Sequence, residues 1–125
     1  MRSIPLRSSR TDLRALGRLP VGAMNKTEAA YAAHLELRRI AGEVVWYRFE
    51  GLKFRLADNT FYTPDFAVML VDRQMECHEV KGAAAIFQDD AKVKSKIAAE
   101  AYPFVFRICI PKTRKDGGGW EITEV

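Results

Sequence analysis

The chain has 125 residues and a mass of 14.2 kDa, one domain's worth of sequence, and a domain of this size buries about two thirds of its unfolded surface. Its 48% hydrophobic and 29% charged residues exclude an intrinsically disordered chain, and its apolar runs stay well short of the ~18 residues of a membrane span. The net charge of +4 favours anionic partners. That excess sits in residues 1–23, where five arginines face Asp12 alone, while residues 24–125 balance fifteen basic against fifteen acidic groups.

Residues 1–23 read as a flexible basic leader ahead of a single domain at 24–125, broken by Pro5, Gly17, Pro20 and Gly22. The leader lacks the apolar centre of a secretory signal. Its arginines and serines suit a mitochondrial presequence, a phosphate-gripping arm or a plain tail. The spacing then predicts a helix over 25–41, capped by Asn25 or Thr27, with Ala30, Ala33, Leu37 and Ile40 as its apolar stripe and Gly42 as its stop. His34, off that stripe, reads as a surface residue.

Residues 44–56 switch to period two, as one bent strand or two short ones with Gly51 at a bulge. Ala57–Thr60 is a turn. A strand is expected over 61–71, with Pro64 at a start, bulge or edge. Residues 75–81 form its hairpin partner, and Gly82 ends it. A second helix is expected over 86–102, with Phe87, Ala91, Val93 or Lys94, Ile97, Ala98 and Ala101 on its inner side. Residues 104–110 read as a centrally buried strand, followed by a basic, glycine-rich loop and a last strand at WEITEV. The expected fold is α/β or α+β, in the order α-β-β-β-α-β-β, with a mixed central sheet flanked by helices.

Cys77 and Cys109 form no CxxC pair and read as reduced core thiols in a cytoplasmic setting. Neighbouring strand residues face opposite ways, so Cys77 and His78 cannot share a metal, and His78 points away from Glu79.

The chemistry concentrates in one hairpin. Asp65 follows Pro64 on its first arm, and Glu79 and Lys81 lie two apart on its second, hence on one face. Thirteen intervening residues let the hairpin bring the two carboxylates together. Such a pair repels itself unless a cation lies between, and its oxygen ligands suit Mg²⁺, with Mn²⁺ as a substitute. Beside it, the Lys81 ammonium can orient a water or offset phosphate charge.

Pro64-Asp65 followed by Glu79-x-Lys81 resembles the PD-(D/E)xK nuclease signature, and the element order resembles that superfamily's restriction-endonuclease-like core over nearly all of residues 24–111. Within the superfamily the chain is most similar to small phage-type endonucleases and Holliday-junction-resolving enzymes. These carry a helical glutamate in a context like Lys26-Thr27-Glu28-Ala29-Ala30-Tyr31. The resemblance implies Asp65 and Glu79 as metal ligands with the Val80 carbonyl, Glu28 as a third carboxylate, and Lys81 as the residue that positions the attacking water. It also implies a Lys or Gln from the next helix, for which Gln88, Lys92 and Lys94 are candidates. Lys26, Lys96, Lys112, Arg114 and Lys115 are further candidates for nucleic-acid contact.

The expectation is a divalent-metal-dependent endodeoxyribonuclease acting on DNA, of phage or prophage type and suited to branched substrates. A homodimer would fit a chain this short. The rival is a nucleic-acid-binding or assembly module on the same fold without catalysis.

Overall fold

A computed structural model describes residues 22–82 and 90–125. The leader up to residue 21, Gln88, and the expected helix start with Phe87 lie outside the described residues.

Helix α1 (Lys26–Ile40) begins at Asn25, whose side chain accepts from the Glu28 amide at 2.8 Å while Glu28 Oε1 accepts from the Asn25 amide at 2.9 Å. This reciprocal capping box satisfies two amides that the first turn leaves unpaired. Asn25→Ala is expected to cost about 1 kcal/mol, read as a lower midpoint in urea unfolding.

Strands β1 (Val44–Phe49), β2 (Phe54–Ala57), β3 (Thr60–Tyr62), β4 (Phe66–Leu70) and β5 (Met75–Val80) follow. Helix α2 (Asp90–Ala101), β6 (Val105–Pro111), a 3₁₀ turn at Arg114–Asp116 and β7 (Trp120–Glu124) complete the chain. The fold is α+β: two helices, a mixed five-stranded sheet in the order β1-β4-β5-β6-β7, and a separate β2–β3 hairpin. Among the described strands only β5 and β6 pair in parallel, as suits a connection that carries α2.

Between the helices the expected three strands are therefore five. Glu50, at φ 51°, leaves the sheet after β1, and a Cβ on Gly51 would stand 3.0 Å from that of Arg48. The segment read as one bent strand or two short ones is two short strands, and they belong to different sheets. Pro64, which cannot donate to a ladder, and Asp65 divide the expected 61–71 strand into β3 and β4. Asn59, at φ 53°, turns β2 into β3.

The sheet has two covered faces. On one, Tyr31 and Leu35 of α1 pack with Val44, Phe66, Val68, Val80 and Cys109. On the other, α2 and the hairpin bring Ala98, Phe54 and Tyr62 against Cys77 and Phe106. Both thiols are buried and free.

The phase of α1 differs from the expected one. Leu37 and Ile40 are 67% and 68% exposed, and Ala30 and Ala33 also face outward. The buried face instead carries Tyr31 and Leu35, because the Tyr31 hydroxyl finds partners inside. His34 is half-buried, with its ring 5.3 Å from Tyr31 and 6.2 Å from Trp120. In α2, Ala98 is buried as expected and Ala91 and Lys94 are half-buried, whereas Val93, Ile97 and Ala101 are exposed and Ser95 is buried, its hydroxyl returned to the Lys92 carbonyl.

Behind β5, on the α1 side, runs a buried polar chain. His78 Nε2 lies 2.8 Å from Glu76 Oε1, and His78 Nδ1 lies 2.6 Å from the Tyr31 hydroxyl. Glu76 also accepts two hydrogen bonds from Arg107, each 3.0 Å, and the Cys109 thiol donates to Tyr31 at 3.2 Å. An ionised carboxylate only accepts, so Nε2 carries the His78 proton and Nδ1 accepts from Tyr31. Burial holds His78 below its ordinary value, hence neutral. Burial alone would raise Glu76, but the hydrogen bonds from His78 and Arg107 outweigh it and hold this carboxyl at about 2. No helix among the described residues is long and apolar enough to cross a membrane.

Candidate active site

The antiparallel β4–β5 ladder ends at the pair Phe66 and His78, and Asp65 and Glu79 are the next residue on each arm, where the same register would oppose them. Opposed residues share a face, and alternation puts this pair with Cys77 on the α2 side, away from His78. Asp65 Oδ2 accepts from the Val80 amide at 2.8 Å, tying the start of β4 to the end of β5. Glu79 is 7% exposed, and its Oε2 lies 3.7 Å from the Lys81 ammonium. Asp65, Glu79 and Lys81 thus meet at one end of the sheet.

The electrostatics reflect this crowding. Burial and the charge of Glu79 push the Asp65 carboxyl up to about 8, against the Val80 amide and Lys81, which favour its ionised form. Glu28 adds to the rise. Two half-desolvated carboxylates side by side are costly unless positive charge joins them. A divalent cation suits this donor set of two carboxylates and the Val80 carbonyl. Among the described residues, no three of His, Cys, Asp and Glu gather closely enough to hold a metal. The Glu28 carboxylate is turned back to the Asn25 amide, so as a third ligand it would first have to release its cap.

The same end of the sheet collects further elements. A Cβ on Gly82 would stand 4.0 Å from Thr27 Oγ1, which places the first turn of α1 beside the chain leaving β5. Because β5 and β6 run parallel, the β6–β7 loop emerges at this end too, with Lys112, Arg114 and Lys115 exposed. Lys92 lies in the first turn of α2, and Lys94 and Lys96 follow along the helix. Lys92 and Lys94 are half-buried; Lys26 and Lys96 are exposed.

One site residue escaped the sequence reading. The Tyr62 hydroxyl donates to Glu79 Oε1 at 2.8 Å, and Tyr62 is 5% exposed. Burial and the adjacent Glu79 charge push this phenol well above its usual range, keeping it a donor. No pattern in the chain signals it, since Tyr62 reads as one more apolar position of a strand.

Comparison with family models, curated proteins and solved structures returned no match to this chain.

Proposed function

We propose that the protein is a Mg²⁺-dependent endodeoxyribonuclease of the PD-(D/E)xK type, with Mn²⁺ able to replace Mg²⁺ and with branched or otherwise structured DNA as its substrate. The observation that carries this reading is the meeting of Asp65 and Glu79 at the end of the β4–β5 ladder, with the Lys81 ammonium 3.7 Å from Glu79. The helix-flanked mixed sheet supports it as a restriction-endonuclease-like core, with the β2–β3 hairpin as an insertion.

A divalent cation at this site would supply Lewis-acid charge to the scissile phosphate. Asp65 and Glu79 hold the negative charge that retains it, with the Val80 carbonyl completing the donor set. Lys81 stands where its ammonium can orient the attacking water and offset charge growing on the phosphate oxygens. The cations of α2 and of the 112–115 loop give the phosphate backbone its sequence-independent grip. A second copy of the chain would let two such sites cut opposite strands.

The test incubates the protein with labelled linear, flapped and four-way DNA in Mg²⁺ or Mn²⁺. Cleavage is expected, and Lys81→Ala is expected to lower it by roughly 10²–10³-fold while leaving binding in place. Binding that needs no metal, with no cleavage of any substrate, would overturn the enzyme in favour of a DNA-binding or assembly module.

A further inference from the structure

The β2–β3 hairpin is a separate two-stranded sheet, and so small a unit is marginal alone. Two kinds of contact hold it. Phe54 and the Tyr62 ring pack with Cys77, Ala98 and Phe106, and the Tyr102 hydroxyl donates to the Arg55 carbonyl at 2.6 Å. Neither needs the Tyr62 oxygen, and a phenylalanine would fill the same space. A buried hydroxyl nevertheless requires a partner. Here the partner is the Glu79 carboxylate, seventeen residues along the chain and in the other sheet.

That bond has a directional consequence. The terminal torsion of a glutamate is broad and roughly two-fold, so packing alone fixes the plane of its carboxylate poorly. Tyr62 engages Oε1, and Oε2 is the oxygen turned to Lys81. A hydrogen-bonded neighbour of this kind orients a ligand before the ligand meets its metal.

We infer that Tyr62 is a positioning residue for the candidate metal site: its hydroxyl sets the plane of the Glu79 carboxylate and so presents Oε2 toward Lys81. The inference rests on the proposed metal-dependent reading and adds to it a residue outside the Asp65, Glu79 and Lys81 set. It also gives the hairpin a role in the site besides covering the sheet.

The experiment is calorimetric titration of the full-length protein with Mn²⁺, for wild type, Tyr62→Phe and Tyr102→Phe, with melting in chelator as the check on folding. Wild type is expected to bind Mn²⁺. Tyr62→Phe is expected to bind it roughly 10- to 100-fold more weakly, and Tyr102→Phe as wild type does. In the cleavage assay Tyr62→Phe should need correspondingly more metal, while kcat at saturating Mn²⁺ stays nearly intact. Equal affinity in wild type and Tyr62→Phe would overturn the positioning role and leave the metal site standing. Equal weakening in both variants would overturn it too, because docking of the hairpin would then be what matters. A wild type that binds no Mn²⁺ would remove the metal reading and this inference with it.

Discussion

Asp65→Asn is expected to melt roughly 8–16 °C above wild type in chelator, and to cleave no DNA when Mg²⁺ is supplied. The two halves of this expectation share one cause. Asp65 and Glu79 lie near each other past the end of the β4–β5 ladder, both largely removed from water, with one lysine 3.7 Å from Glu79. Without a cation, burial and the Glu79 charge hold Asp65 protonated up to about pH 8, so folding forfeits an ionisation that the unfolded chain gains. Asparagine has nearly the same shape, and its carbonyl oxygen can keep the bond from the Val80 amide. Removing the ionisable group should therefore stabilise the fold by about 2 kcal/mol, which for a domain near 100 residues is a rise of roughly 8–16 °C. Binding of Mn²⁺ and cleavage should both be lost. A destabilised Asp65→Asn would mean that the pair is relieved within the protein, by contacts that need the charge. Sites that store unfavourable charge for function often gain stability when it is removed.

Glu76→Ala is expected to have the opposite effect and to destabilise the α1 side of the sheet. Glu76 takes the His78 Nε2 proton and both Arg107 bonds. Alanine would leave a buried imidazole N–H and a guanidinium without their acceptor, and removing one partner of such a pair costs about 3 kcal/mol. Glu76→Gln, which retains one acceptor oxygen, should lose less. The same carboxylate makes stability fall in acid. Its folded value of about 2 lies below the ordinary 4.5, so its contribution is complete above pH 4.5 and is lost as the pH drops toward 2. Urea midpoints between pH 6 and pH 3 should decline more steeply in wild type than in Glu76→Gln.

The candidate site was legible because it depends on two short-range regularities. Period-two alternation puts Glu79 and Lys81 together, and one tight turn at Asp72–Gln74 brings Asp65 near Glu79. The central placement of β6 was legible in the same way, from a short apolar run. What failed was the phase of α1. An apolar stripe at Ala30, Ala33, Leu37 and Ile40 looks like the inner face, but Tyr31 has a larger ring and a hydroxyl that His78 and Cys109 satisfy inside. Periodicity counts hydrophobicity, and it cannot see partners 47 and 78 residues away. Tyr62 was hidden for a related reason. Its role depends on the chain leaving the sheet at Glu50 and returning at Phe66, a detour that a propensity reading smooths into continuous strands. Glu28, which the resemblance implies as a third carboxylate, caps α1 through the Asn25 amide, and its charge still reaches Asp65.

The two cysteines give each half of the core its own clock. Cys77 belongs to the layer under α2 and the hairpin, Cys109 to the layer under α1. Burial pushes both thiols up to about 12, so neither offers a thiolate to an alkylating reagent while its layer stays closed. Labelling at each sulfur then reports how often that layer opens. Equal rates at the two positions would mean that the layers open together, as one cooperative unit. Faster labelling at Cys77 would mean that the hairpin side breathes independently, and with it the wall that carries Tyr62.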